Sequence, residues 1–212
     1  IEHLESLKKK LTTLEVELTE LEEQNTIAAA KNEELQIQLL REGNNMTMEE
    51  LKRLDATPCD IPVLRRAAIF SCFTGLRVSD IMQLEWKHIV KAPDGGWCMR
   101  IRTEKTETEA TLPISEEALS YCGKRKEGKV FEDFARGMLT TPLKRWLKQA
   151  GITKHITFHC FRHTFATLQL AMGTDLYTVS KMLTHRFIST TQIYADIMDN
   201  EKRKSANAIT LK

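Results

Sequence analysis

The chemistry-bearing residues of this 212-residue chain concentrate between His159 and Tyr194. His159, Arg162 and His163 stand at i, i+3 and i+4, so on a helix they share one face. Phe161, Phe165, Leu168 and Met172 recur at helical spacing and Gly173 supplies a stop, which predicts a helix here. Two imidazoles and a guanidinium at the start of a buried helix need a polar partner, and an anion at a helix N-terminus satisfies them. Three uses compete on these residues. A structural polar network is the commonest fate of a His–Arg pair. Zinc fits the i, i+4 spacing of His159 and His163, but Arg162 sets a fixed positive charge beside the metal and no Glu follows the first His. A phosphate suits a bidentate arginine flanked by histidines.

Residues elsewhere favour the phosphate. Arg77 follows Gly75 at a corner between two apolar segments, with Asp80 at i+3 as an ordinary ion-pair partner. Lys105 projects from a predicted strand turn, where lysines are usually just solvated. His185 follows Leu183-Thr184, and Tyr194 stands nine residues further on. Together Arg77, Lys105, His159, Arg162 and His185 could hold a phosphodiester, and Tyr194 is the one nucleophile in the set. A phenol with a pKa near ~10 needs positive surroundings to attack at neutral pH. Arginine forks stabilise charge on the non-bridging oxygens, and Lys105 would serve as general acid for the departing hydroxyl. Nothing in this chemistry needs a metal or other cofactor, and no carboxylate cluster for magnesium is visible.

The elements that must carry these groups are mostly helical. Thr47 with Glu50 forms a capping box that opens one helix. Residues 63–73 form an apolar core helix ended by Gly75, and 78–84 a short helix behind Arg77. From Trp97 to Ile114 the period falls to two, which predicts a β-hairpin or small meander whose turn holds 103–107 and Lys105. Helices resume at 115–122, after Thr141-Pro142 (a cap followed by proline) as far as Gly151, and at 175–183 and 189–198, the last bearing Tyr194. Residues 201–212 read as a polar tail. The expected class is mainly α with a small antiparallel β-sheet, an α+β fold.

Residues 4–39 differ from all of this. Leu4, Leu11, Leu18, Asn25, Asn32 and Leu39 fill one heptad position, and Leu7, Leu14, Leu21, Ala28 and Leu35 the other, which predicts a coiled coil over 1–43. The two asparagines fall at position a, where polar groups set register and oligomer state. An amphipathic helix packed on its own domain is the competing reading. Gly43-Asn44-Asn45 breaks the repeat, leaving 46–212 as a second domain with its tail. The net charge of +2 hides an asymmetry: residues 1–45 hold 5 Lys/Arg against 10 Asp/Glu, and residues 46–212 hold 26 against 19. The basic part suits a polyanion. Five scattered cysteines fit buried thiols in a reducing compartment, and there is neither a membrane-spanning apolar run nor a signal-peptide pattern.

Four boxes now stand in order: Thr74-Gly75-Leu76-Arg77-Val78-Ser79-Asp80-Ile81, Lys105-Thr106, His159-x-x-Arg162-His163, and Leu183-x-His185 with Tyr194. Over about residues 46–205 the chain resembles the tyrosine recombinases, or phage-type integrases, with a softer likeness to those of mobile elements. The resemblance implies that Arg77, Lys105, His159, Arg162 and His185 gather round a scissile phosphate and that Tyr194 forms a covalent 3′-phosphotyrosyl link, releasing a 5′-hydroxyl. Because that link keeps the bond energy, a second strand reseals it without ATP. It further implies DNA contacts from Arg77, Lys105, Arg162 and His163, a double-stranded DNA partner, a homo-oligomer with a tetrameric synapse, and a cytoplasmic, nucleoid-associated location in a bacterium. Two departures stand out. Thr184 occupies the place where the family usually has Gly. Residues 1–45 are too few and too regularly heptad for the helical core-binding domain such enzymes carry before the catalytic one. Two other classes therefore remain: a coil-dimerised DNA-binding or regulatory module with dormant chemistry, and a zinc protein using His159 and His163.

Overall fold

The heptad stretch and the mixed stretch after Gly43 fold as two units, Ile1–Glu42 and Gly43–Lys212. The structure is a computed structural model that describes residues 2–41, 43–102, 109–185 and 188–195, with some side chains of the first helix left aside.

The first unit is one helix, α1 (Glu2–Arg41), of 40 residues, about 60 Å long at ~1.5 Å per residue. Its heptad leucines Leu7, Leu11, Leu14, Leu18 and Leu21 are 49–61% exposed. The threonines return their hydroxyls to their own helix, Thr19 to the Glu15 carbonyl and Thr26 to that of Glu22, both at 2.8 Å. The exposed large apolar side chains described on this helix are those leucines with Val16 and Ile27. Helices of this kind draw their stability from packing an apolar face rather than from propensity.

The second unit begins with α2 (Met48–Ala56), opened by the Thr47–Glu50 capping box: the Glu50 N–H donates to Thr47 Oγ1 at 3.2 Å, and the Thr47 N–H to Glu50 Oε2 at 2.8 Å. α3 (Pro62–Thr74) starts at a proline and ends at Gly75, whose φ of 68° is left-handed. It is the central helix. Leu64, Ala67, Ala68, Ile69, Phe70 and Cys72 are all buried along it, because α2 and α5 pack on it from some sides and α7 from another. α4 (Val78–Gln83) follows directly, with Arg77 at its N-cap.

Three antiparallel strands come next in the order β1 (Ile89–Lys91), β2 (Trp97–Arg102), β3 (Glu109–Ile114). Met99 pairs with Leu112 and Ile101 with Ala110, so the inward alternation read from the sequence sets the register. Pro113 lies in β3, an edge strand, where a missing N–H is tolerated. β1 turns the hairpin into a three-strand meander; Ile89 faces the core opposite Met99.

α5 (Glu116–Ser120) is capped by Ser115. α6 (Thr141–Gln149) begins one residue earlier than expected: Thr140 is the N-cap and makes no side-chain cap bond, so Thr141 is helical and Pro142 follows it. α7 (Phe158–Ala171) and α8 (Leu176–Met182) then form a pair, and residues 189–195 are helical. Phe158 meets Phe161 edge-on at 5.3 Å and Phe134 at the same distance, tying α7 into the core. The linker ahead of α2 is tied to α7 too: the Met46 N–H donates to Thr164 Oγ1 at 3.0 Å, and Asn45 Nδ2 to Thr167 Oγ1 at 3.1 Å. All five cysteines are unpaired thiols, four of them buried. Among the described residues no helix is long and apolar enough to cross a membrane.

Candidate active site

α7 carries the densest group. Helical spacing puts His159 and His163 one above the other, with ring centroids 4.5 Å apart and edge-on at 83°. Arg162, on the same helix, reaches into the seam where α3 and α8 end. There Nη1 donates to the Gly75 carbonyl and Nη2 to the Leu183 carbonyl, both at 2.6 Å. These carbonyls belong to the C-terminal ends of two helices, where main-chain oxygens lack helical partners and carry partial negative charge. They help a guanidinium that is only 3% exposed remain charged, with Asp80 near enough to add its attraction. Burial and the nearby Arg77 pull the Arg162 pKa down to about 9, against attraction from Tyr194 and Asp80.

Gly75 makes this seam possible. A Cβ there would lie 2.6 Å from Phe165 Cδ1 and 2.8 Å from Leu183 Cδ2, besides requiring the left-handed turn. The same turn delivers Arg77 two residues later. Burial lowers the Arg77 pKa, and Asp80 and Tyr194 oppose that shift. Its Nη1 donates to Thr184 Oγ1 at 3.3 Å.

Tyr194 and His163 meet at 2.9 Å, Oη to Nδ1. Tyr194 is 4% exposed and His163 fully buried. Burial pushes the phenol up to about 12, although Arg162 and Arg77 pull the other way. Burial likewise brings His163 down to about 2, helped by His159, Arg162 and His185. The imidazole is therefore neutral at pH 7 and able to accept the phenolic proton in a hydrogen bond. His185 is oriented through Nδ1 by Thr191 Oγ1 at 2.8 Å, a hydroxyl itself fully buried.

The structure thus brings Arg77, Arg162, His159, His163, His185 and Tyr194 together from four separate segments. Lys105 lies outside the described residues. His163, expected to contact DNA, is buried and meets Tyr194. Thr184 and Thr191 carried no role in the sequence reading. Thr191 was within reach of it, since it stands three residues before Tyr194 and shares its helix face. Among the described residues no three His, Cys, Asp or Glu side chains gather as metal ligands, and His163 Nδ1 is already engaged by Tyr194.

Known proteins share this fold. Residues 44–201 match the Phage integrase family. The tyrosine recombinase XerD of Lacticaseibacillus casei is 34% identical over an alignment of 153 positions, covering 63% of this chain and 51% of that protein. The chain spans about half the length of the curated relatives it matches. The solved structure of the catalytic domain of bacteriophage HP1 integrase has a TM-score of 0.59 at 23% identity, covering 72% of this chain and 87% of that one. That of XerH site-specific recombinase bound to difH substrate, a pre-cleavage complex, has a TM-score of 0.57 at 20% identity, covering 72% and 50%. At these identities the likeness is one of fold, and it extends to the small antiparallel sheet set among helices.

Proposed function

We propose, because this chain belongs to the phage integrase family, that it is the catalytic part of a site-specific DNA recombinase which cleaves and rejoins strands through Tyr194. The observation that carries this reading is the convergence of half-buried Arg77 and buried Arg162 on the buried Tyr194, whose phenol both pull down in pKa against the upward push of burial. Oη attacks a backbone phosphorus, an O–P bond forms to tyrosine, and the bond to the 5′ oxygen breaks. The phenol gives up a proton and the leaving oxygen gains one, so the step is proton-neutral overall. Arg77 and Arg162 hold the non-bridging oxygens, whose charge grows in the transition state. His159 and His185 complete the cradle, and Lys105 protonates the leaving oxygen, a role that rests on its place in the family motif. Burial keeps the phenol protonated in the resting protein, with His163 as its hydrogen-bond partner.

The same reading assigns double-stranded DNA as partner, and with it a cytoplasmic, nucleoid-bound place of action and a mobile-element origin. Association through the α1 heptads supplies a homo-oligomer, and a tetramer assembles on DNA. This chain covers only about half of the curated recombinases it matches, so DNA binding by the present residues alone is weak and steeply salt-dependent.

A duplex nicked close to the cleavage site lets the released end diffuse away and traps the covalent step. The wild-type chain is expected to give a protein–DNA adduct resistant to denaturation, and Tyr194→Phe none. DNA binding without any adduct from the wild type would favour the dormant DNA-binding module instead.

A further inference from the structure

α8 ends in a Schellman motif. The Thr184 N–H donates to the Lys181 carbonyl at 3.0 Å and the His185 N–H to the Ser180 carbonyl at 3.1 Å. The residue just past the cap in such a motif must be left-handed, and glycine is its usual occupant. Here it is Thr184, at a φ of 53°. A β-branched side chain in that region is strained. The other described non-glycine residue at positive φ is Asp133, whose short polar side chain tolerates it. α3 meets the same need with Gly75.

What threonine contributes in exchange is a hydroxyl. Thr184 Oγ1 accepts from Arg77 Nη1 at 3.3 Å and donates to the Leu183 carbonyl at 2.6 Å. That carbonyl also accepts Arg162 Nη2 at 2.6 Å. The two guanidinium groups are therefore joined by one chain of hydrogen bonds, from Arg77 through the threonine hydroxyl and a single peptide oxygen to Arg162. We propose that Thr184 is a positioning residue: its hydroxyl fixes the spacing of Arg77 and Arg162 so that both address one phosphate, at the expense of a strained turn. This rests on the function proposed above. A residue retained at a strained position commonly marks a functional constraint rather than a stability optimum.

Three substitutions separate the hydroxyl from the backbone. Thr184→Gly relieves the turn and removes the hydroxyl, so melting is expected about 2–4 °C higher, while trapped-adduct formation on nicked DNA slows roughly ten- to hundredfold. Thr184→Val keeps the strain and loses the hydroxyl, so it slows equally without the rise in melting temperature. Thr184→Ser keeps the hydroxyl and is expected to stay within about threefold of wild type, a tenth or less of the loss a misplaced group causes. A merely structural role makes stability and rate move together. Thr184→Gly that is both more stable and as fast as wild type overturns the proposal, as does a slow Thr184→Ser. If the wild type forms no adduct, the parent reading fails, and the brace is then judged alone by NMR of the Arg77 side-chain N–H. Its exchange with solvent is expected to quicken in the Gly and Val variants and not in Ser; equal exchange in all three refutes the brace.

Discussion

α1 and α7 break the rule of apolar inside and charged outside in opposite directions. α1 leaves five heptad leucines about half exposed, whereas α7 takes Arg162 and His163 almost wholly out of water. Exposed leucine forgoes about 25 cal/mol for each Å² that a partner could cover, and a buried guanidinium faces a desolvation cost of several kcal/mol. The two helices resolve this differently. The charge on α7 is met inside the fold by the Gly75 and Leu183 carbonyls, so that surface is ready before any ligand arrives. Among the described residues of its own unit nothing covers these leucines of α1, so any stabilisation a partner gave them would depend on that partner's concentration.

The largest effect that tests this contrast is on α7. Arg162→Met is expected to reduce adduct formation about 10²–10³-fold, the usual loss for a fixed donor to transition-state charge. It should also cost about 1–3 kcal/mol in urea unfolding, because two buried carbonyls lose their donor. An adduct rate equal to wild type removes the functional half of the comparison. On α1, changing Leu11 and Leu18 together to Glu is expected to reduce the sedimenting mass to that of a monomer without slowing the unfolding transition of residues 43–212. Unchanged mass breaks the structural half.

A third effect concerns His163. Its folded pKa is depressed below the ordinary 6.5, so the unfolded chain binds more protons at acid pH. The stability it contributes is complete above about pH 6.5 and is lost as pH falls, by at most about 1.4 kcal/mol per pH unit. His163→Gln keeps a polar partner for Tyr194 and is expected to flatten that decline in pH-dependent urea melts. An identical acid slope in the variant places the ring in water rather than in the core. The smallest effect is alkaline. Tyr194 is raised to about 12, so its contribution is intact below pH ~10 and is lost as pH rises towards the folded value. Tyr194→Phe should remove only part of this slope, since Tyr121 and Cys122 are pushed to about 12 as well. A slope unaltered by the substitution places the phenol outside the core.

The features legible from sequence were those written in local spacing. The Thr47–Glu50 box, the Gly75 stop, the alternation of β2 with β3 and the shared face of His159 and His163 each occupy a few adjacent residues. β1 escaped because three residues are too short for a period, although Pro93-Asp94-Gly95-Gly96 marks the turn that follows it. The partners of Arg162 were invisible for a different reason: main-chain carbonyls carry no residue identity, and only the meeting of α3 with α8 aims two of them at one point. Likewise i, i+4 spacing places His163 beside His159 but does not say which way that face turns. The fold turns it to Tyr194.

Arg162 has about five N–H donors, of which the two named carbonyls engage two. Water around a free guanidinium must rotate whenever a neighbouring charge changes, whereas these peptide dipoles were locked in direction when α3 and α8 formed. Charge shifting at a nearby phosphorus would therefore meet an environment with almost no reorientation left to perform. Under the proposed chemistry the rate would depend on how rigidly two helix ends hold their last carbonyls, so loosening either end would slow it with every charged side chain still present.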